Sequence, residues 1–161
     1  EDPADLARTA QVSAGSEKQP AANVINGVSR TVGEDENCWQ SDGLAGDNGV
    51  LSLRWDTPRT LRQIRLTFDP NLCSSIKITL SSKRIAEQVP GVPPELVRDY
   101  DVELLKDGQV LASRSVRGNY QRLNVLSFDA CDCDEVRLHV LATNGIADAR
   151  VYEVRAYEQA D

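Results

Sequence analysis

Tyr100-Asp101-Val102-Glu103-Leu104-Leu105-Lys106 and Gln109-Val110-Leu111-Ala112-Ser113 flank an Asp107-Gly108 pair, and no other stretch constrains the fold as strongly. Asp-Gly tolerates positive φ at both centres of a two-residue turn. Such a turn matches the right-handed twist of the strands it joins, so the segment predicts an antiparallel hairpin. The same two-residue period marks Val50 to Trp55, Leu61 to Phe68, Ser75 to Leu80, Gln121 to Phe128, Glu135 to Leu141 and Arg150 to Tyr157 as strands. Thr57-Pro58-Arg59 breaks the first two, which read as adjacent strands. Within Glu135 to Leu141, Val136, Leu138 and Val140 share one face and Arg137 and His139 the other. A weaker alternation predicts a strand in Leu6 to Ala14, after a frayed lead-in over residues 1–5, and Ala21 to Ile25 reads as one helical turn. No amphipathic pattern of three helical turns occurs. The expectation is therefore all-β: an antiparallel sandwich of jelly-roll type.

At 161 residues and 40% hydrophobic, the chain supports one core, and a single domain over 1–161 is expected. Eighteen basic against 25 acidic residues give a net charge of -7, which opposes the counterion release that drives nucleic-acid binding and disfavours anionic membranes. No apolar run is long enough to span a bilayer. A neutral partner, or a metal cation, suits this balance better. Cys38, Cys73, Cys131 and Cys133 leave open a Cys38–Cys73 disulfide or four buried thiols. Cys131-Asp132-Cys133 is too closely spaced for the usual zinc pair, and the neighbouring aspartates oppose the low thiol pKa that redox chemistry needs.

Oxygen-bearing side chains accumulate between Asn23 and Ser41, with Asn26, Thr31, Glu34, Asp35 and Glu36 preceding a single Trp39. Calcium takes six to eight oxygens in forgiving geometry, so these residues, with Glu153 brought back from near the C-terminus, are candidate ligands; a solvated loop tip is the alternative. Trp39 reads either as part of a binding rim or as a core plug. A second candidate is Ser81 to Asp99, where Lys83, Arg84 and Arg98 supply donors of the kind sugar sites combine with an aromatic platform. Trp39, Tyr100 and Tyr120 are the platform candidates. His139 is the single histidine, and no phosphate loop, Gly-x-Ser-x-Gly elbow or His-Glu-x-x-His motif is present, so no enzyme is expected.

Ala22-Asn23-Val24-Ile25-Asn26-Gly27, Trp39-Gln40-Ser41, the strand pair from Leu51 to Phe68, and Val151-Tyr152-Glu153-Val154-Arg155-Ala156-Tyr157 occur in an order that resembles the galactose-binding-like superfamily. That superfamily includes discoidin or coagulation-factor C-type domains and bacterial carbohydrate-binding modules. The resemblance implies a non-catalytic carbohydrate-binding or accessory module, extracellular or periplasmic, with a packing domain that binds no sugar as the alternative. It implies a structural calcium on the Asn23 carbonyl, Asn26, Thr31 and Glu153, although Asn26 stands where an aspartate is usual; Glu34 to Glu36 are the candidates to restore that charge. It also implies a ligand site on loops at one end of the sandwich, near Asp47, Asn48, Lys83, Arg84 and the turn from Asn144 to Ala149. Arg98 and Tyr100 complete the expected ligand set. Pro94 to Tyr100 and Asn119-Tyr120-Gln121-Arg122 further resemble the accessory sandwich of some secreted bacterial FAD-dependent oxidoreductases, which implies an attached catalytic domain as partner; no dinucleotide fingerprint lies in this chain.

Overall fold

The computed structural model describes residues 2–72, 81–86, 88 and 91–159. Its strands are β1 (Gln11–Ala14), β2 (Trp39–Gln40), β3 (Val50–Phe68), β4 (Val97–Lys106), β5 (Gln109–Val116), β6 (Leu123–Thr143) and β7 (Arg150–Tyr157), with one short helix, α1 (Ser82–Ala86). Every ladder among them is antiparallel. The expected strand from Ser75 to Leu80, and Cys73, lie outside the described residues.

Two long strands make the sandwich. The first part of β3 pairs with β1 and with the end of β6, for instance Leu53 with Val12 and Val136; its second part pairs with β7 and with the start of β6, for instance Leu66 with Val154 and Asn124. β4 and β5 extend the first layer, and β2 edges the second. Both layers therefore share β3 and β6. Register shifts between Arg54 and Arg59 and between Leu61 and Gln63 mark the passage from one layer to the other. They also solve a patterning problem: Leu51, Leu53, Trp55 and Leu61 are buried at odd positions, whereas Ile64, Leu66 and Phe68 are buried at even ones. An extra residue in the strand switches which side faces inward, so the apolar side stays in the core. Phe68 of one layer meets Tyr100 of the other edge-on, with ring centroids 5.1 Å apart.

Two expected breaks are absent for this reason. Thr57-Pro58-Arg59 does not end a strand, and Gln121 to Phe128 and Glu135 to Leu141 are parts of one strand, because irregular register bends the chain where a turn was expected. The Asp107-Gly108 hairpin forms as expected, with φ of 51° and 78°. Residues 2–5 are not frayed. The Asp5 carboxylate accepts the N–H groups of Ala7 and Ala156, which caps a 3-10 turn at Leu6–Thr9 in place of the expected strand start and docks the N-terminus on β7. Asp2 adds a bond from the Tyr157 hydroxyl at 2.8 Å. Both tryptophans are core residues whose indole N–H groups end on carbonyls, Trp39 on Ser16 at 2.9 Å and Trp55 on Leu6 at 3.0 Å. Cys38, Cys131 and Cys133 carry free thiols, and burial pushes those of Cys38 and Cys133 up to about 12, which leaves them unreactive at neutral pH.

Candidate functional site

One end of the sandwich gathers the loops. Backbone bonds from Ser41 to Ala149, Asp69 to Arg150, Asn119 to Arg98 and Asn144 to Leu96 tie them together. Most of the ligand residues expected from sequence lie here, but several are committed to the scaffold. Tyr100 is fully buried against Phe68 and belongs to the core, not to a sugar platform. The Asn144 amide donates to the carbonyls of Leu96 and Asn119, and the Asn48 amide to that of Asp42, so these two side chains hold loops together. Arg98 is exposed and paired with Asp99 at 2.9 Å, and Lys83 is exposed on α1, which also carries Arg84. Of the three expected platforms only Tyr120 is open to solvent, at 70% exposure.

The residues expected to hold calcium are individually satisfied by protein groups. The Asn26 side-chain oxygen accepts the Val28 N–H at 2.7 Å, and the Asn23 carbonyl accepts the Asn26 N–H at 3.1 Å. Thr31 bonds the Tyr152 hydroxyl at 2.9 Å, and Glu153 pairs with Arg155 at 2.9 Å. Arg155 lines both the hollow containing Asn26 and the one containing Glu153, so a fixed positive charge stands between the two groups that would share a cation. Glu36 is drawn to Arg150 at 3.6 Å, while Glu34 and Asp35 are exposed in a tight turn. This set does not fit a calcium cage. Thermal unfolding is accordingly expected to shift by less than about 1 °C between excess calcium and chelator, since a cation that does not bind the native state adds no linkage stabilisation; a rise of several degrees with calcium would show that the loop rearranges to bind it.

A different set of side chains converges without having been grouped by sequence reasoning. On the outer face of the first layer, a groove of about 450 Å³ runs over β1, β3, β6 and β4 and is closed at one end by the loop carrying Asp47. The register places Ser13, Ser52, Arg137 and Glu103 in one row, and His139 and Asp101 in the next. In the adjoining row of the same face, level with Arg54, the buried Glu135 accepts from the Ser52 hydroxyl at 2.9 Å and from Arg137 at 3.0 Å, which fixes the Arg137 guanidinium; its other oxygen takes Arg54 at 3.0 Å. Arg137 also lies 3.6 Å from Glu103, and Arg117 pairs with Asp101 at 2.8 Å. Burial pushes the Asp101 carboxyl up, but bonds from Ser115 and Arg117 and the nearby His139 outweigh it and hold it below its ordinary range. Asp47 thus falls at the rim of this groove. The signal for the rest was the alternation itself: the inward Val136, Leu138 and Val140 put Arg137 and His139 outside, and the inward Val102 and Leu104 do the same for Asp101 and Glu103.

The fold is an antiparallel all-β sandwich of the kind found in lectin domains and carbohydrate-binding modules. The chain is similar in structure to the lectin domain of lectinolysin complexed with Lewis B antigen, at 15% identity and TM-score 0.70 over 99% of this chain and 100% of that one. It is also similar to a family 32 carbohydrate-binding module from C. perfringens in complex with galactose, at 20% identity and TM-score 0.63 over 94% and 96% of the two chains. A chitosan-binding module from a Paenibacillus chitosanase/glucanase matches at 14% identity and TM-score 0.67 over 95% and 98%. No protein-family model and no curated protein matches the sequence. The resemblance to oxidoreductase accessory domains gains no support from these structures. Its residues have scaffold roles here: Leu96 and Val97 are buried, and the Asn119 amide bonds the Val97 carbonyl at 2.7 Å.

Proposed function

We propose that this chain is a non-catalytic carbohydrate-binding module and that it takes a glycan in the groove over β1, β3, β6 and β4. The observation that carries the reading is the composition of that groove. Arg137, His139 and Ser13 present donors beside the acceptors Asp47, Asp101 and Glu103, on strands that hold them in fixed rows. Sugar hydroxyls donate and accept in alternation, and a rigid array of mixed polarity matches them with little ordering cost. Among the described residues no Phe, Trp or Tyr lines the groove, so recognition rests on hydrogen bonds more than on stacking, which implies affinity in the millimolar range or modestly tighter. The sugars named for the similar structures, galactose and the Lewis B antigen, support a saccharide over other small ligands. A module of this kind works outside the cell or in the periplasm, and an attached catalytic domain is its natural partner.

Calorimetric titration with galactose, a fucosylated oligosaccharide and a chitosan oligomer tests this directly. His139→Ala and Asp47→Ala should each weaken binding about tenfold, the loss of one or two hydrogen bonds to ligand. Weakening by Lys83→Ala with none by His139→Ala would move the site to the loop end and overturn the groove. Absence of binding to every glycan, together with specific retention of a protein partner, would favour a packing role.

A further inference from the structure

Glu153, expected to help hold a cation, is surrounded by the opposite charge. On the outer face of the second layer, a hollow of about 220 Å³ is lined by Arg65, Thr67, Arg122, Leu123, Glu153 and Arg155. Three arginines and one carboxylate line it; of the acids around it, Asp2 lies 3.9 Å from Arg155 and also acts on Arg65, Asp5 acts on Arg155, and Glu158 lines the neighbouring hollow with Arg65. The chain as a whole carries -7, so this hollow runs against the charge of the molecule. An independent observation sharpens it. Arg65 stands directly opposite Arg155 in the β3–β7 ladder. Like charges in that position destabilise a sheet, and an anion between them removes the penalty.

The guanidinium groups are also held in place. Arg65 bonds Gln63 at 2.6 Å and lies over the Tyr157 ring at 4.7 Å. Arg155 is anchored by Glu153 at 2.9 Å, and Arg122 donates to the Ser29 carbonyl. Oriented guanidinium forks match the two oxygens of a carboxylate or sulfate group, and orientation before binding lowers the ordering cost. Thr67 adds a hydroxyl, and Leu123, 53% exposed, adds an apolar surface suited to the C–H face of a sugar ring.

From this we infer that the outer face of β3 and β7 is an anion site for the carboxylate or sulfate group of an acidic saccharide, separate from the groove on the other layer. The inference rests on the reading of the chain as a glycan-binding module, and the two are separable by experiment. Titrating the intact chain with a uronate oligosaccharide, with free glucuronate and with inorganic sulfate should show the oligosaccharide bound most tightly, with affinity falling as salt rises. Arg65→Gln should weaken that binding at least about tenfold, the loss expected of one charge-assisted fork, and Arg65→Lys should recover only part of it. Neutral-glycan binding, which His139→Ala reduces, should be unchanged in Arg65→Gln. Retention of full uronate affinity in Arg65→Gln, or binding of inorganic sulfate alone, would overturn the acidic-saccharide site without touching the groove. Loss of neutral binding with uronate binding intact would remove the groove and leave this site standing.

Discussion

Replacing Trp39 with alanine should cost about 3–5 kcal/mol of unfolding free energy, the range for deleting a large buried aromatic. The side chain is fully buried, and its indole N–H donates to the Ser16 carbonyl at 2.9 Å. Its strand, β2, is only two residues long and is held by pairing with Val151 and Arg150 and by main-chain bonds to Lys18 and Gln19. Since a domain of this size has about 5–15 kcal/mol in total, the variant should unfold at markedly lower urea with an unchanged slope. Trp39→Phe keeps much of the apolar contact but leaves the Ser16 carbonyl without its donor, and should fall between the two. A loss below about 1 kcal/mol for the alanine variant would mean that the indole is not part of the core.

Trp39 illustrates what was legible in the sequence and what was not. An isolated tryptophan in an oxygen-rich loop is compatible with a binding rim and, more often in a β-rich chain, with a core plug, and only the third dimension decides. The strands were legible because Val136, Leu138 and Val140, or Val102 and Leu104, repeat every second residue. Their continuity was not. β3 and β6 bend through bulges, and bulges have no fixed composition, so Thr57-Pro58-Arg59 looked like a break. Asp47, expected near ligand loops at one end of the sandwich, borders the groove, whereas Arg137 and His139 were seen to point outward without a partner in view. Long-range register alone brings them beside Asp101 and Glu103, more than 30 residues away in the chain. The calcium expectation meets a different limit. Motif positions specify which oxygens are available, but not that Arg155 would compete for Glu153.

The second large effect lies beside the groove, in the adjoining row of the same face. Glu135→Ala should destabilise the fold by about 2–4 kcal/mol and also weaken glycan binding, although Glu135 is not among the residues that line the groove. Glu135 is 3% exposed and ties together Ser52, Arg54 and Arg137. Removing it strands the hydroxyl of Ser52, a residue 8% exposed, and leaves the Arg137 guanidinium with only the longer contact to Glu103, at 3.6 Å. Arg54 is 62% exposed and returns to water at small cost, which keeps the loss below that of a fully buried triad. Glutamine at this position would keep the shape and the acceptor for Ser52, yet turn an amide N–H toward an arginine, so Glu135→Gln should recover only part of the loss. A double-mutant cycle with Arg137→Ala separates packing from positioning. If Glu135 acts on ligand through Arg137, its effect on glycan affinity should vanish once Arg137 is gone, with a coupling of about 1 kcal/mol or more. Additive losses in affinity would instead mean that the two residues reach the ligand independently, and that the row holding Arg137 is set by the sheet and not by the buried carboxylate.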